Sequence, residues 1–442
     1  MKKTDYRKKE DAGNPKHLDA SNSDALSRKR FLSRSALALT GATLASQLPL
    51  HSSFARSRPP SDALGVGIIG YGARATALLG NLLNQRESLN LRFPVVCDVW
   101  SERQQEGANR IESETGHRPR TTSRYQDVLE SEDVDCIVVA TPDFSHTPIL
   151  VDAARAGKHS YIEKPVSISV EQANQALEAV LEGGIVFQAG TQFRESPAYR
   201  GAAKALREGI IGDLIKIDCW YNRQEIGWAN RDYSTVRRED VDWDQFLMHL
   251  PKRAFDPALL RQWQLYRDCT NGLLGLLGTH LFDIAAWLSD DPLPASVVGL
   301  EMDVLGGANE HADFQECLFQ FPDGFLLNFS SRHGNSAPRT AMSLYGTHGT
   351  MNCPYSLTAE IVASGEGGYH PESLEEPVTI QHIEGVDMME NWVTCIRSGD
   401  TDTYADIHAA YAHSVTAALG MEAIRTGRKV HFSADHRQIV EG

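Results

Sequence analysis

The sequence predicts an α/β Rossmann domain with a doubly wound parallel sheet in the first part of the chain. Three features lead to this prediction. A glycine-rich turn joins an apolar strand to a helix, apolar runs then alternate with helical patterns, and a Lys-Pro pair follows one of the buried strands. Alternating strands and helices are typical of a parallel sheet that helices cover on both faces.

The glycine-rich turn follows residues 63–69, an apolar run that predicts the first strand, and precedes a helical pattern. Gly70 allows the tight turn, Gly72 lets phosphate groups approach the main chain, and Ala75 keeps the helix close to the sheet. A helix that begins after such a turn presents free amide groups to a pyrophosphate. We therefore expect a dinucleotide cofactor to contact Gly70, Gly72, Ala73 and Arg74.

The second predicted strand, residues 93–97, ends in Asp98, 28 residues after Gly70. An acidic residue at this strand end can accept hydrogen bonds from both ribose hydroxyls of an adenosine, which favours NAD as the cofactor. The alternative role for Asp98 is to cap the helix that begins near Ser101. Arg103 lies close to Asp98 in sequence and could bind the 2′-phosphate of NADP, so NADP is the alternative cofactor.

The next strand is predicted at residues 135–140, an almost continuous apolar run. Such a run is expected of a strand that is covered on both faces. Thr141 and Pro142 follow it at the carboxyl end of the sheet, where open α/β sheets bind their ligands, so we expect both to contact the cofactor. His146 either lies beside the nicotinamide ribose or caps the following helix.

The strand predicted at residues 159–162 leads directly into Glu163, Lys164 and Pro165. The proline restricts Lys164 to extended geometry and cannot continue a sheet ladder. The lysine side chain is therefore expected to point into a cleft at the edge of the sheet. A last strand at residues 184–191 closes the sheet.

At this point the sequence resembles the glucose–fructose oxidoreductase and inositol dehydrogenase family (Gfo/Idh/MocA). The resemblance extends from residue 63 to nearly the end of the chain. It is carried by Gly-Ile-Ile-Gly-Tyr-Gly at 67–72, Thr-Pro-Asp-Phe-Ser-His at 141–146, Glu-Lys-Pro at 163–165, Gly-Ile-Ile-Gly-Asp-Leu at 209–214 and Gly-Thr-His-Leu-Phe-Asp at 278–283.

The resemblance implies an NAD(P)-binding Rossmann domain at residues 63–190 and an α+β domain with an open mixed or antiparallel sheet at 191–442. The second domain then carries the carbohydrate site and assembles the chain into a dimer or tetramer, and its helix at 405–426 returns to the first domain. Glu163 then touches the nicotinamide ribose, and the Lys164–Pro165 bond is cis. Substrate contacts are expected from Arg194, Tyr199, Trp263 and Arg267.

Hydride transfer from a carbinol to nicotinamide requires a group that takes the hydroxyl proton. Lys164 is one candidate, because burial beside a cationic ring lowers the pKa of a lysine. His280 is the other, although a histidine in an apolar helix is often a core residue. The resemblance favours a catalytic role for both. Members of the family commonly have aspartate one turn before this histidine, whereas this chain has Leu276.

The first 55 residues predict export. Residues 1–26 are polar and expected to be disordered, and residues 27–55 resemble a twin-arginine signal, with Lys29 where the second arginine usually stands. A weakly apolar stretch follows, and a small-x-small cleavage site ends at Ala55. Residues 56–62 are expected to be a linker, and the mature protein is expected in the periplasm. The alternative interpretation of the first 55 residues is a disordered basic tail without a signal.

Composition excludes several classes of partner. The chain has 442 residues and a net charge of −15, and the part after residue 55 carries 33 basic against 53 acidic residues. An acidic body argues against nucleic acid and against anionic membranes. The apolar stretch of the signal is too short for a membrane anchor.

The seven cysteines form no disulfide pattern, and no cluster of His, Cys, Asp and Glu residues has metal-site spacing.

Three functions follow from these features. The first is a nicotinamide-dependent oxidoreductase for a sugar, cyclitol or derivative. The second is a redox-neutral, NAD-dependent glycoside hydrolase on the same scaffold, which export and Leu276 favour, because a cofactor carried out of the cytoplasm must be regenerated in each cycle. The third is a non-enzymatic sugar or nucleotide sensor, which Leu276 alone favours.

Overall fold

The computed structural model describes residues 63–306, 309–339 and 341–440. The predicted leader at 1–26, the signal at 27–55 with cleavage near Ala55, and the linker at 56–62 lie outside the described residues. Export therefore stays a prediction.

Within the described residues, the first domain contains a parallel sheet of six strands in the order β3-β2-β1-β4-β5-β6. The reversal of strand order between β1 and β4 is the topological switch point at which α/β sheets bind their ligands. The strands are β1 (Leu64–Ile69), β2 (Leu91–Cys97), β3 (Arg120–Thr122), β4 (Cys136–Val139), β5 (His159–Ile162) and β6 (Phe187–Ala189).

Helices connect these strands and cover both faces of the sheet. The strands β1 and β4 are almost completely buried, in agreement with their continuous apolar sequences. The predicted doubly wound Rossmann fold is therefore confirmed. The helices are α1 (Ala73–Asn84), α2 (Ser101–Thr115), α3 (Tyr125–Leu129), α4 (His146–Arg155) and α5 (Val170–Gly183).

The second domain contains a mixed sheet of ten strands in its described part, in the order β14-β13-β12-β11-β7-β10-β9-β8-β15-β16. Its pairs are antiparallel, except that β7 and β10 are parallel. The open mixed sheet is therefore confirmed. The strands are β7 (Leu214–Trp220), β8 (Ser296–Met302), β9 (Phe314–Gln320), β10 (Leu326–Arg332), β11 (Ala341–Gly346), β12 (Gly349–Pro354), β13 (Val362–Ser364), β14 (Val378–Thr379), β15 (Val430–Ser433) and β16 (Gln438–Val440).

One face of this sheet is covered by helices and the other is open. The last long helix, α11, contacts α5 of the first domain as well as α9 and β8 of the second, so a single apolar core continues through both domains. Among the described helices, none is long and apolar enough to cross a membrane. The helices are α6 (Pro197–Arg207), α7 (Trp243–Leu247), α8 (Pro257–Arg261), α9 (Thr279–Ser289), α10 (Met388–Ser398) and α11 (Ile407–Thr426).

Candidate active site

The glycine-rich turn has the geometry that a pyrophosphate needs. Gly70 has a φ of +81°, and a Cβ there would lie 2.7 Å from Cγ2 of Thr141, so only glycine fits. Gly72 is the N-cap of α1, and the space where its Cβ would project is open to 4 Å. No side chain among the described residues caps α1. Ala73 and Arg74 begin the helix, so the free amides of its first turn are available to an anion.

Asp98 ties the glycine-rich turn to the end of β2. Its Oδ2 accepts a hydrogen bond of 2.7 Å from the amide of Tyr71, and its Oδ1 accepts one of 2.9 Å from the amide of Trp100. Burial raises the pKa of Asp98, and these two amides oppose the rise. Each carboxylate oxygen retains a further lone pair for a ribose hydroxyl. Arg103 instead pairs with Glu106.

Arg74 and Glu163, both predicted to contact the cofactor, also contact each other. The Nε of Arg74 donates to Oε1 of Glu163 at 2.5 Å, and the hydroxyl of Tyr161 donates to the same oxygen at 3.3 Å. Burial acts to lower the pKa of Arg74, but Glu163 and Tyr161 together raise it above its ordinary value. A Cβ on Gly190 would lie 2.6 Å from the Glu163 carboxylate, so a larger residue there would displace Glu163 from this pair. The pair thus links the start of α1 to the end of β5.

Lys164 reaches from the Rossmann domain to the second domain. Its Nζ donates a hydrogen bond of 2.6 Å to the carbonyl oxygen of Leu276, and the Lys164–Pro165 bond is cis. Burial lowers the pKa of Lys164, and the nearby carboxylates of Asp143 and Glu163 oppose this effect. The amino group is therefore easier to deprotonate than that of an exposed lysine.

Asp143 is a site residue that the sequence did not single out. It is buried, and its Oδ2 accepts a hydrogen bond of 2.8 Å from the hydroxyl of Thr270. Burial raises the pKa of Asp143 to about 7, although the charge of Lys164 acts against the rise. A carboxyl group and an amino group with opposed pKa shifts thus lie close together, which is typical of acid–base sites.

His280 lies one helical turn beyond the contact that Lys164 makes. A π-helical turn, Leu274–Gly278, leads into α9, and such turns are frequent at functional sites. The Nδ1 atom of His280 is buried and has no hydrogen-bond partner among the described residues. Burial lowers the pKa of His280 well below its ordinary value, and the charges of Lys164 and Arg74 lower it further. The imidazole is therefore neutral and able to accept a proton from a substrate.

His146 supports the cofactor loops from beneath. The ring is 1% exposed, and its nitrogens lie 2.6 Å from the carbonyl oxygen of Pro165 and 2.9 Å from that of Thr141. Both nitrogens are thus engaged with the main chain. The structure favours neither predicted role of His146, contact with the nicotinamide ribose or capping of α4. Instead, His146 joins the loop after β4 to the loop after β5. Pro142 lies in the first of these loops, at the start of a 3₁₀ turn.

Two predicted substrate residues have structural partners instead. The Nε of Arg194 donates to both carboxylate oxygens of Asp283, at 3.0 and 2.9 Å. Burial alone would raise the pKa of Asp283, but Arg194 brings it below its ordinary value. Tyr199 is 1% exposed, and its hydroxyl donates to the carbonyl oxygen of Pro354 at 2.9 Å. Neither contact favours substrate binding, because the polar groups are buried and already paired.

The other two predicted substrate residues differ in their positions. Arg267 is exposed and donates to Glu301 at 2.7 Å and to the carbonyl oxygen of Glu310 at 2.6 Å, which holds it in a surface ion pair. Trp263 is half-buried and packs against the cluster that contains Leu276. Of these two residues, only Trp263 packs against the cluster that contains Leu276.

An aromatic wall extends from Leu276 to His280, and the sequence did not predict it. We define this wall by the side chains of Tyr221, Trp228, Trp263 and Tyr355. Tyr221, Trp228 and Trp263 pack on Leu276 and its neighbours. The Tyr355 ring lies 5.1 Å from the Tyr221 ring and 6.0 Å from the His280 ring. Aromatic faces of this kind are suited to the apolar faces of sugar rings, with the polar groups of the site beside them.

Residues 236–269 pack over the loops that follow β2 and β4. Their apolar side chains form one buried cluster with Trp100 and Phe144, which belong to these two loops. Residue Val241 also pairs with Trp100 in an isolated antiparallel bridge, and the guanidinium of Arg261 lies 5.3 Å from the Trp100 ring. The segment therefore fixes the loop at Asp98, the predicted ribose contact.

Comparison with protein families agrees with this architecture. A profile described as "Oxidoreductase family, NAD-binding Rossmann fold" matches residues 64–191, and the profile of the GFO/IDH/MocA C-terminal domain matches residues 245–352. Both profiles belong to one family and together match more than half of the chain. The chain belongs to the Gfo/Idh/MocA family. NAD is therefore the cofactor type of its first domain, and the free amides of α1 together with Asp98 fit this group.

Among relatives of this Gfo/Idh/MocA chain, the 2,7-anhydro-N-acetylneuraminate hydratase of Escherichia coli K12 is 34% identical over 237 residues, 52% of this chain and 55% of the relative. A levoglucosan dehydrogenase of Pseudarthrobacter phenanthrenivorans is 26% identical over 51% of each chain. The chain thus spans about half the length of these relatives. A solved levoglucosan dehydrogenase with NADH and levoglucosan has the same fold, with a TM-score of 0.64, 18% identity, and coverage of 84% of this chain and 99% of that one.

Proposed function

We propose that the protein is an NAD-dependent oxidoreductase that transfers a hydride between a carbohydrate and its nicotinamide cofactor. The observation that carries the proposal is the 2.6 Å contact from Lys164 to the carbonyl of Leu276. It brings the amino group of a Rossmann loop within one helical turn of His280. An acid–base pair therefore faces the cleft at the carboxyl end of the cofactor-binding sheet, where the chemistry of such sheets takes place.

The residues of the site supply the proton chemistry. Nicotinamide, when bound, accepts the hydride from the carbinol carbon. His280 is neutral and takes the hydroxyl proton, since a general base must be unprotonated at the working pH. The amino group of Lys164 donates a hydrogen bond to the same oxygen and stabilises the negative charge that develops there. The carboxylate of Asp143 favours the charged form of this amino group.

The aromatic wall and the relatives support a carbohydrate as the substrate. Half-buried tyrosine and tryptophan side chains next to Leu276 present flat apolar surfaces to a sugar ring. The relatives that match this chain carry the names of enzymes acting on levoglucosan and on a 2,7-anhydro sugar acid. We extend the carbohydrate substrate, but neither particular sugar, to this chain.

We also propose that the cofactor is tightly bound. The segment 236–269 shares a buried apolar cluster with the loops beside Asp98 and Thr141, which stabilises the loops that we expect to hold the cofactor. Tight binding agrees with the export predicted from residues 27–55, because an exported enzyme has to retain the cofactor that it loads in the cytoplasm.

A retained cofactor also supports the second candidate, a redox-neutral glycoside hydrolase. Its cycle oxidises the sugar transiently and returns the hydride to the product. Leu276 favours this candidate, because the side chain that packs on the aromatic wall cannot hydrogen-bond to a substrate or to His280. The name of the hydratase relative also describes a reaction without net oxidation.

The test uses the mature protein, purified without added nucleotide. We expect mass spectrometry to find bound NAD, and absorbance near 340 nm to rise when a sugar is added. Net oxidation gives a stable reduced cofactor and an oxidised sugar, whereas the hydrolase gives a transient signal and a cleaved glycoside. A protein that binds neither NAD nor NADP would refute both functions and leave the sensor.

We further propose a dimer or tetramer that forms through the open face of the second sheet. Leu300 of β8 is 77% exposed, and further apolar side chains are exposed on the same face, although Glu316 of β9 lies directly opposite Leu300. A second copy of the chain would cover these apolar side chains, and patches of this kind usually mark interfaces. The exposed members are Val298, Leu300, Met302, Leu318 and Leu326.

Replacing Leu300 with lysine is expected to reduce the oligomer to monomers, because the substitution buries a charge at the interface. Light scattering after size-exclusion chromatography measures the mass. The matched control is Leu181→Lys, since Leu181 is 56% exposed on α5 and lies outside this face. A wild-type protein that is monomeric, or an L300K variant with unchanged mass, would contradict the proposed interface.

A further inference from the structure

We propose that Arg223 selects acidic carbohydrates, by binding a carboxylate group on the sugar. The inference rests on the proposed function and specifies its substrate class. Arg223 follows β7 and was not identified from the sequence. Its position combines three properties that point to an anionic ligand: it lies on the aromatic wall, its side chain is unpaired, and buried polar atoms without partners lie beside it.

The first property is the position of the guanidinium group on the aromatic wall. Its central carbon lies 5.8 Å from the Tyr221 ring centroid and 5.8 Å from the Trp228 ring centroid. Both rings pack against Leu276 and its neighbours. The amide of Arg223 donates to the carbonyl oxygen of Arg332 at 2.9 Å, which fixes the residue to the end of β10. The side chain therefore extends from a rigid part of the sheet.

The second property is the absence of an internal partner. Within the part of the chain that the structure describes, the Arg223 side chain makes no ion pair and no hydrogen bond. Arg74, Arg194 and Arg267 of the same region all pair with carboxylates. The chain has an excess of acidic residues, so carboxylates are plentiful. Arg223 is exposed, so a ligand can reach its guanidinium group, and an arginine that lies over aromatic rings with its N–H groups unpaired is suited to bind a carboxylate of that ligand.

The third property is a buried histidine whose ring nitrogens have no partner among the described residues. His333 is 3% exposed, its ring lies 5.9 Å from that of Trp228, and neither of its ring nitrogens has a partner among the described residues. Burial lowers the pKa of His333 to about 4, and the charge of Arg223 contributes. Buried polar atoms without partners are rare and call for a ligand or water.

The aromatic wall connects Arg223 to His280. Arg223 contacts Tyr221, Tyr221 contacts Tyr355, and Tyr355 contacts His280, each through ring distances of 5.1 to 6.0 Å. A sugar whose carboxylate binds at Arg223 would extend along this wall toward His280.

The test measures binding and turnover with matched sugars on the protein that retains its cofactor. The probes are glucuronate, galacturonate and N-acetylneuraminate, with glucose and galactose as neutral counterparts and glucose 6-phosphate as a different anion. Calorimetry gives the affinity, and absorbance of the bound nicotinamide gives turnover. We expect one acidic sugar to bind roughly 10- to 100-fold more tightly than its neutral counterpart, as for a charge-assisted hydrogen-bond pair.

The variant Arg223→Gln is expected to lose this preference and to retain its affinity for neutral sugars, and Arg223→Lys is expected to recover part of it. Arg267→Gln is the control, because Arg267 is exposed and pairs with Glu301. Equal affinity for acidic and neutral sugars, or a preference for the phosphate, would overturn the inference. Failure of every sugar to reduce bound NAD would instead count against the proposed oxidoreductase, and the binding data would still decide the role of Arg223.

Discussion

The variant Lys164→Met is expected to lose roughly 10²- to 10⁴-fold of the turnover rate while its NAD content stays the same. The amino group lies at the substrate side of the cleft, where it donates to the carbonyl oxygen of Leu276. Methionine retains the length of the side chain but removes the donor and the charge. The free amides of α1 and the carboxylate of Asp98 are unchanged, so the pyrophosphate and the ribose keep their contacts.

Two measurements separate a catalytic role of Lys164 from a structural one. Single-turnover absorbance follows reduction of the bound cofactor, and mass spectrometry counts the cofactor per chain. Lys158→Met is the matched control, because the Nζ of Lys158 also donates to main-chain carbonyls, those of Ser131 at 3.0 Å and Val134 at 2.7 Å. We expect the control to lower stability and to leave turnover intact. Equal turnover in K164M and wild type would contradict the proposed acid–base pair.

The Rossmann domain was predictable because its strands carry their own signal. The strand β4 is buried on both faces and has a continuous apolar sequence, and β5, which ends just before Glu163 and Lys164, was predicted with its observed bounds. The second sheet gives no such signal. Its strand β8 alternates between buried and exposed positions, and its strand β7 pairs with β10 and β11, which lie more than a hundred residues further along. Long-range pairing of this kind leaves no local pattern.

The candidate site was predictable only where one local motif defines it. Gly70, Gly72 and Lys164 belong to short motifs at strand ends, and the structure places them at the edge of the sheet. Arg194 pairs with Asp283, 89 residues away in sequence, and Asp143 accepts a hydrogen bond from Thr270, 127 residues away. Neither contact can be predicted from a local sequence pattern.

The substrate side of the cleft was missed for the same reason. Tyr221 and Trp228 follow β7, and Tyr355 follows β12. These residues lie far from Leu276 in sequence, and only the folded sheet brings them together with it. Aromatic residues dispersed in this way give no spacing that would separate a binding surface from a core. The sequence could not show that Arg223 makes no ion pair, since this depends on which carboxylates the fold brings near its side chain.

The variant His280→Asn is expected to lower turnover by roughly 10²- to 10⁴-fold, as removal of a general base does. The pH dependence of this loss identifies the protonation state of the imidazole. Burial, and then the charges of Lys164 and Arg74, hold the pKa of His280 well below 6.5, so its neutral form persists as the pH falls through that value. A base with this property keeps working at mildly acid pH.

The informative quantity is the ratio of wild-type to H280N turnover. Asp143 is present in both proteins, so its titration near pH 7 cancels from the ratio. We expect the ratio to be constant between about pH 8 and about pH 6, and to fall only at more acid pH, where His280 takes up a proton. His159→Asn is the control, since the Nδ1 of His159 accepts from the amide of Val186 at 2.9 Å and lies at the start of β5, at the opposite end of the strand from Glu163 and Lys164. A ratio that falls with a midpoint near 6.5 would mean that the imidazole titrates as in water, and a ratio near unity at every pH would assign the proton transfer to Lys164 alone.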